Sequence, residues 1–329
     1  VGITAPEAIL DNLTSANKSR VRIFPFGVGY DVNTHLLDKI AQIHRGDPEY
    51  VLPEENIEVK VSAFFDKVGY PVLSDMRLDF GAITPRDVYP NPLPDLFKGG
   101  QVIILGRYGG KGHSAVTLSG MKSEKKMEYV AESSFPEKES SNDFIPRLWA
   151  TRRIGHLLGE IRFKGENREL RDEIIALSRE FGIVTPYTSF LVLEDEKQLV
   201  DSSRRPGIQP TSAPARFEEQ ARMLKSQTSG SQAVRMAQDI VQMKRAEQSA
   251  SSTHAESIRQ VGYKTFIIKD THWVDTAFKD DMKVEEIEYM SERYFELLKK
   301  NPEIGKFLAI HFNVTIVYNG KAYRITKKD

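Results

Sequence analysis

The chain has 329 residues, which is enough for two or three domains of ordinary size. Its 46 Lys and Arg residues balance its 46 Asp and Glu residues, so the net charge is zero. This argues against a nucleic acid, or an anionic membrane, held by bulk electrostatics. The sequence has no Cys, which excludes disulfides, thiolate nucleophiles and Cys-ligated metals. No apolar run approaches the roughly 20 residues that cross a bilayer, so we expect no transmembrane segment.

Residues 1–68 alternate between helical and strand patterns joined by short loops. This alternation predicts parallel strands with helical crossovers. Two strands cannot bury three helices, so we expect residues 1–68 to be one half of a doubly wound α/β domain. Because the chain begins at Val1 without Met or a signal peptide, we expect the other half to precede it in a longer polypeptide. The predicted strands lie at 21–26 and 50–52, and the predicted helices at 6–16, 33–44 and 54–67.

Residues 69–136 show short alternating apolar runs separated by Pro- and Gly-rich turns, which predicts an antiparallel β-sandwich segment. The runs lie at 76–80, 101–105, 115–118 and 127–130.

Residues 137–200 read as a helical hairpin followed by a strand. Two apolar stripes between 144 and 181 are separated by a break at 164–167, and Gly182 is placed as the glycine after the second helix. A strand is predicted at 189–193.

The remaining sequence divides into a connecting region and a small terminal domain. Residues 201–257 contain a Pro- and Ser-rich linker at 201–216 and a mostly polar helix over about 217–247. Residues 258–329 read as a small α+β unit whose last two strands are joined by Asn319-Gly320, a strong hairpin signal. The whole chain is thus predicted to be a multidomain α/β plus β protein.

One stretch, FPFGVGYDVN at residues 24–33, resembles a nucleotide-binding turn because a strand runs into two glycines and a helix start. A dinucleotide fingerprint requires a third glycine, and Val32 stands in its place. Asp31 would also repel a pyrophosphate at the helix N-terminus. We therefore predict a tight turn in which Asp31 or Asn33 caps the following helix.

A second glycine-rich stretch, GRYGGKG at 106–112, lacks the spacing of a phosphate-binding loop and has no Ser or Thr after its lysine. It lies between predicted strands with no helix after it, and we predict a hairpin turn.

The candidate chemistry outside these loops lies on the first predicted helix of the hairpin. His156 and Glu160 are one turn apart, and a basic cluster surrounds them: Arg147, Arg152, Arg153, Arg162 and Lys164. The simpler interpretation is a solvated face with a surface pair. The alternative is a hydrolase or anion-binding enzyme that uses His156, Glu160 and Arg152. Geometry discriminates between the two, since convergence in an apolar-lined pocket favours the enzyme and divergence into solvent contradicts it.

Several long motifs carry a family resemblance. The stretch RIFPFGVGYDVNTHLLDKIAQIHRG (22–46) resembles the late strand and helix of a von Willebrand factor type A domain. PVLSDMRLDF, DVYPNPLPDLFKGGQVIILGRY and the segment 144–193 resemble the region that follows this domain in inter-alpha-trypsin inhibitor heavy chains and their bacterial relatives, in which a VIT domain precedes the A domain. The resemblance covers about residues 1–195, and the terminal unit is similar to a module of bacterial members.

The resemblance implies a non-enzymatic adhesion or protein-binding module of bacterial type. The family's A domain holds Mg²⁺ or Ca²⁺ through motifs that would all precede Val1, so we expect no metal ligand and no cofactor in this sequence. The binding residues nearest the sheet edge would be Gly29, Tyr30, Asp31 and Asn33. Implied partners are an unidentified protein ligand and the preceding VIT/A-domain portion. The implied location is extracytoplasmic (periplasmic, secreted or cell-surface), with a cytoplasmic assembly factor as the alternative.

Overall fold

The computed structural model describes residues 2–19, 21–139, 142–165, 167–183, 185, 222, 226, 228–247, 258–269, 271–279 and 281–327. These residues fall into two compact units. The first comprises Val1–Ile145, Thr151–Gly165 and Arg222–Glu247, and the second comprises Pro146–Ala150, Glu166–Ala221 and Gln248–Asp329.

The helices within the described residues are α1 (Pro6–Ala16), α2 (Thr34–Ile43), α3 (Ile57–Val68), α4 (Phe144–Lys164), α5 (Arg168–Phe181), α6 (Ser231–Arg245), α7 (Glu292–Lys300) and α8 (Gly305–Leu308), with a 3-10 turn at Pro302–Ile304. The strands are β1 (Phe26–Val28), β2 (Glu49–Val51), β3 (Pro71–Asp79), β4 (Pro85–Tyr89), β5 (Leu96–Phe97), β6 (Leu105–Tyr108), β7 (Gly112–Lys122), β8 (Lys125–Phe135), β9 (Ile258–Val261), β10 (Lys264–Lys269), β11 (His272–Asp275), β12 (Val284–Glu288), β13 (Val314–Tyr318) and β14 (Lys321–Thr326). The protein is therefore of mixed α/β class.

The first unit begins with the expected parallel strand pair. β1 and β2 run parallel, with Gly27 opposite Tyr50, and α2 lies between them in the chain. The predicted strand at 21–26 is wrong over 21–25, because the ladder starts only at Phe26. Pro25 has no N–H to donate, and Val21 is instead bonded on both sides of its backbone to the Asn17 side chain.

Helix α3 packs on the strand region through one aromatic residue, and much of its apolar surface is exposed. Phe64 packs edge-on against Phe24 and Phe26, with ring centroids 5.1 and 5.0 Å apart. Four large apolar residues of the helix are exposed: Ile57, Val59, Val61 and Phe65. A two-strand sheet is too narrow to bury the helices beside it.

The following strands form two antiparallel sheets, one with the order β5-β3-β7-β8 and one pairing β4 with β6. The antiparallel pairing was predicted, but two details were wrong. Residues 101–104 are not a strand, because β6 begins at Leu105. The stretch at 106–112 is not a hairpin turn either, since β6 pairs with β4 while β7 pairs with β3 and β8. Residues 106–108 belong to β6 and residue 112 begins β7, so only residues 109–111 connect the two sheets.

Helices α4 and α5 occur where the two apolar stripes predicted them. Asn167 caps α5 by accepting a hydrogen bond from the Leu170 N–H, and Gly182 ends the helix in the left-handed conformation with φ of 59°. The packing of these helices as a hairpin stays a prediction. The predicted strand at 189–193, the linker at 201–216 and most of 217–227 lie outside the described residues.

Helix α6 returns to the first unit. The sequence predicted a mostly polar helix, but one of its faces is buried: Ala233, Val234, Met236, Ala237 and Ile240. Val234 and Ala237 pack against Tyr50 of β2, so the helix covers one side of the parallel strand pair.

The second unit has a six-stranded sheet with the order β12-β14-β13-β11-β10-β9. The predicted hairpin of β13 and β14 is confirmed, and its two turn residues have positive φ, 50° at Asn319 and 74° at Gly320. Helices α7 and α8 contribute to one core with this sheet, and its fully buried side chains include Phe266, Phe307 and Ile325.

Candidate functional site

The predicted binding loop follows the carboxyl end of β1. Gly29 has φ of 79°, and its N–H donates to the Val51 carbonyl at 2.9 Å. Asn33 caps α2 by accepting a hydrogen bond from the Leu36 N–H at 3.0 Å. Asp31 is exposed and makes no hydrogen bond or ion pair with another described residue. The loop is therefore built as the sequence predicted, with Asn33 rather than Asp31 as the cap.

A segment far along the chain closes this loop, which the sequence did not predict. The Gly230 N–H donates to the Tyr30 carbonyl at 2.8 Å, and both the N–H and the hydroxyl of Thr34 donate to the Thr228 carbonyl at 2.9 Å. Tyr30 also packs against the small core formed by β2 and α6. The loop is thus held in shape by contacts of Gly29, Tyr30 and Asn33. The carboxylate of Asp31 is exposed and has no ion-pair partner among the described residues. Their role in binding stays a prediction.

The basic cluster of α4 is not the solvated face that its sequence suggested. Arg147, Arg152 and Arg162 are buried, whereas Lys164 is exposed. Arg152 donates to three backbone carbonyls, those of Tyr89, Ile103 and Ala246, at 3.3, 2.5 and 2.8 Å. A guanidinium can satisfy several acceptors at once because it carries five N–H groups in a planar fork. Arg152 therefore ties three separate segments of the first unit to α4.

Arg162 is the centre of a second buried network. Its guanidinium lies 2.6 Å from the Asp38 carboxylate and also donates to the Thr34 hydroxyl. The Tyr50 hydroxyl donates to Asp38 at 2.5 Å and approaches the Thr34 carbonyl at 3.1 Å. Burial raises the pKa of Asp38, although the charge of Arg162 opposes the shift. Burial and the neighbouring Asp38 also raise the pKa of Tyr50. These contacts lock α4 onto α2 and β2.

A cavity of about 460 Å³ lies beside this network within the first unit. Its polar lining includes Arg152, His156, Arg162 and Lys244, and its carboxylates include Asp38. The rest of the wall is largely apolar. Its side chains come from the α/β segment, the proline-rich loop after β4, strand β5, the segment before β6, and helices α4 and α6. They are Phe24, Phe64, Pro90, Pro92, Leu93, Pro94, Leu96, Phe97, Ile103, Phe163, Ile240 and Val241. The size is that of a small-molecule site.

The proposed catalytic pair does not come together in this cavity. His156 lines it, with its ring stacked 4.3 Å from that of Tyr89. Glu160 is exposed and lies 3.6 Å from Lys164 instead. Burial, helped by the positive charges of Lys244, Arg153 and Arg152, lowers the pKa of His156 to about 3. A histidine with such a pKa is a weak base at neutral pH, so this geometry does not favour a hydrolase.

Two glycines on α4 let α6 approach closely. A Cβ atom on Gly155 would lie 2.8 Å from the Met243 Cβ atom and 2.9 Å from the Lys244 backbone nitrogen. A Cβ atom on Gly159 would lie 2.6 Å from the Lys244 Nζ atom. The lysine ammonium therefore rests on the backbone of Gly159 at the cavity wall. The four-residue spacing of the glycines on a predicted helix is the signal that sequence reasoning missed.

No group of three or more histidine and carboxylate side chains suited to a metal ion occurs among the described residues. The residues described here therefore do not fit the metal site that the family resemblance implies. Within the same residues, no helix has the length and apolar character needed to cross a membrane.

Curated proteins similar to this chain include several inter-alpha-trypsin inhibitor heavy chains. The chain is 27% identical to human inter-alpha-trypsin inhibitor heavy chain H4 over 210 residues, covering 60% of this chain and 23% of the relative. It is 28% identical to human heavy chain H6 over 227 residues, covering 62% and 17%. It is 24% identical to rat heavy chain H3 over 226 residues, covering 64% and 26%. No family model matches the chain.

The mixed α/β fold and these relatives support the resemblance to a von Willebrand factor type A-like segment of the VIT/A-domain kind. The particular relationship is to the inter-alpha-trypsin inhibitor heavy chains, so the resemblance read from the sequence is confirmed. The chain spans about a quarter, or less, of the length of the curated relatives that it matches. These relatives are mammalian, and the bacterial assignment stays a prediction.

Proposed function

We propose that this chain is the scaffold portion of a non-enzymatic, metal-dependent A-domain binder that captures a protein ligand. The observation that carries the proposal is the loop at the carboxyl end of β1, where Asp31 is exposed on a turn held rigid by Gly29, Asn33 and Gly230. Ligands of α/β sheets bind at the carboxyl ends of the strands. The similarity to heavy chains supports the same function, because the family resemblance implies a protein-binding module.

The metal ligands of this binder are proposed to lie in sequence outside the 329 residues, in the preceding VIT/A-domain portion. Two observations support this part. The relatives are about four times longer than the matched region, and the described residues supply no ligand cluster. When bound, Mg²⁺ or Ca²⁺ supplies an open coordination position for an acidic side chain of the partner. An extracytoplasmic location belongs to the same proposal.

The apolar surface of α3 fits a scaffold of this kind. Val59 and Phe65 are 65% and 66% exposed, beside a parallel sheet of only two strands. Contiguous exposed apolar surface marks a place where further polypeptide packs. We propose that the preceding portion of the A domain covers it.

The experiment that tests this function is affinity capture of protein ligand by a longer polypeptide that spans the length of the heavy-chain relatives. Capture should be lost when EDTA removes the metal, and Asp31→Ala should weaken it severalfold because the loop would lose its exposed carboxylate. Glu124→Ala, which removes an exposed carboxylate from the turn between β7 and β8, is the matched control and should leave capture unchanged. Equal capture in EDTA, or a loss with the control variant as large as with Asp31→Ala, would overturn the proposal.

A further inference from the structure

The cavity of the first unit contains a lysine whose charge is not matched by a partner. Lys244 lines the cavity near the end of α6, and it makes no hydrogen bond and no ion pair within 4.0 Å with a described residue. Its amine has a pKa lowered chiefly by burial, although Asp38 and Asp47 raise it from a greater distance. A desolvated ammonium of this kind gains most from an anion that reaches it directly.

The arginines around the cavity are already engaged. Arg22 is paired with Asp95, Arg162 with Asp38, and Arg245 with Asp47 and Glu49. Arg152 is occupied by three backbone carbonyls. The ammonium of Lys244 and the Nε2 atom of His156, which is buried without a hydrogen-bond partner among the described residues, are available to a ligand. The Nε atoms of Arg162 and Arg245 are also buried without a partner among these residues, but the two terminal nitrogens of each guanidinium are engaged.

The wall next to the ammonium is apolar. Ile240 precedes Lys244 by one turn of α6, and Phe163 follows Gly159 by one turn of α4, so both side chains adjoin the place where the ammonium rests. Leu93 of the loop after β4 and Phe97 of β5 line the same cavity. The Lys244 ammonium therefore adjoins apolar side chains of the cavity wall.

We propose that this cavity binds an organic carboxylate with an apolar body, whose carboxylate pairs with Lys244 while its hydrocarbon part fills the rest of the cavity. The class of ligand follows from the donors that remain. A phosphate dianion is best held by several N–H groups or a guanidinium fork, and the arginines here are used by the protein itself. A carboxylate needs only one ammonium and one further polar group. Apolar burial then supplies about 25 cal/mol for each Å² removed from water.

Calorimetric titration of the full chain with decanoate, below its micelle concentration, tests the proposal directly. Decanol, which has the same hydrocarbon chain without the charge, and inorganic phosphate, which has the charge without the chain, are the matched probes. Decanoate should bind at least about tenfold more tightly than decanol, since one such charge pair corresponds to about 1.4 kcal/mol. Phosphate should show no stoichiometric binding.

Two variants locate the carboxylate. Lys244→Met should abolish the preference for decanoate over decanol while decanol affinity stays the same. Gly159→Ala should weaken decanoate binding severalfold, because the new methyl group takes the place of the ammonium at the cavity wall. Lys164→Met removes a lysine of α4 that is 74% exposed and should change nothing. Unfolding temperatures of all three variants verify that each is folded.

Four results would overturn the inference. These are an absence of decanoate binding to the folded wild-type chain, equal affinity for decanoate and decanol, stoichiometric binding of phosphate, and an unchanged decanoate preference in both Lys244→Met and Gly159→Ala. None of them bears on capture of a protein ligand by the A-domain loop, so this inference and the proposed function stand or fall separately.

Discussion

Among single residues, two buried arginines of α4 stabilise the first unit by binding distant segments of the chain. Arg152 and Arg162 are 3% and 2% exposed, and their partners are backbone carbonyls and a buried carboxylate of segments far away in the chain. The sequence shows five basic residues on a helix, a pattern that usually marks a solvated face. Arg152 is buried because it donates to the carbonyls of Tyr89 and Ile103. The spacing of basic residues along the helix does not predict these contacts. These residues could therefore be identified from the sequence as a basic cluster, but their burial could not be predicted.

The histidine beside these arginines makes stability depend on pH. His156 has a folded pKa of about 3 against an ordinary value near 6.5, because burial and the nearby Lys244, Arg153 and Arg152 oppose its protonation. The unfolded chain therefore binds the proton more readily. The stabilisation by neutral His156 is complete above pH 6.5 and is lost as the pH falls toward 3.

We expect wild-type protein to lose about 2 kcal/mol more stability than His156→Gln between pH 7.5 and pH 5, since each pH unit below 6.5 contributes about 1.4 kcal/mol. Urea denaturation at the two pH values measures this difference. His113→Gln, which replaces an exposed histidine of β7, is the control and should lose as much stability as wild type. The explanation is wrong if His156→Gln and wild type lose the same amount.

At the scale of elements, local turn chemistry was predictable and long-range packing was not. Asn33, Gly182 and Asn319-Gly320 occupy the cap and turn positions that their residue types favour. The stretch 101–104 looks like a strand because it is apolar, yet the Ile103 carbonyl accepts from Arg152 instead of pairing in a sheet. Helix α6 was predicted as polar because its narrow apolar face contains small residues such as Ala233 and Ala237.

The crossing of α4 and α6 depends on Gly155. The Cβ atom of an alanine at this position would clash with the Met243 Cβ atom and with the backbone of Met243 and Lys244. These atoms can move only if the backbone of α6 moves with them. We expect Gly155→Ala to lower the free energy of unfolding by about 1 to 3 kcal/mol, although alanine is the better helix former.

Gly159→Ala is the matched control for this prediction. Its methyl group meets only the flexible end of the Lys244 side chain, so its stability should equal or exceed that of wild type by up to about 1 kcal/mol. Thermal and urea unfolding of both variants measures the contrast. Equal stability of the two variants would show that the close helix approach does not control packing here.

At the scale of the whole molecule, each unit has its own core. The second unit buries twelve residues in one cluster, including Phe266, Phe307 and Ile316. The first unit has a two-strand parallel sheet with apolar residues of α3 exposed beside it. The mixed α/β class and the parallel pair were predictable from alternating patterns. The burial of α6 against β2 was not, because β2 ends at Val51 and α6 begins only at Ser231.

The proposed function rests on features of the whole molecule. The described residues build a rigid loop, an apolar surface and a braced cavity, but not a metal-ligand cluster. Similarity to inter-alpha-trypsin inhibitor heavy chains extends over only part of their length. We propose that the chain supports a metal-dependent binding site whose metal ligands lie outside the described residues.

Calorimetric titration of Mg²⁺ and of Ca²⁺ tests this proposal. The 329-residue chain and a longer polypeptide spanning the length of its relatives should be titrated side by side, with both shown to be folded. We expect stoichiometric metal binding by the longer polypeptide and none by the chain alone. A stoichiometric site of micromolar affinity in the chain alone would contradict it.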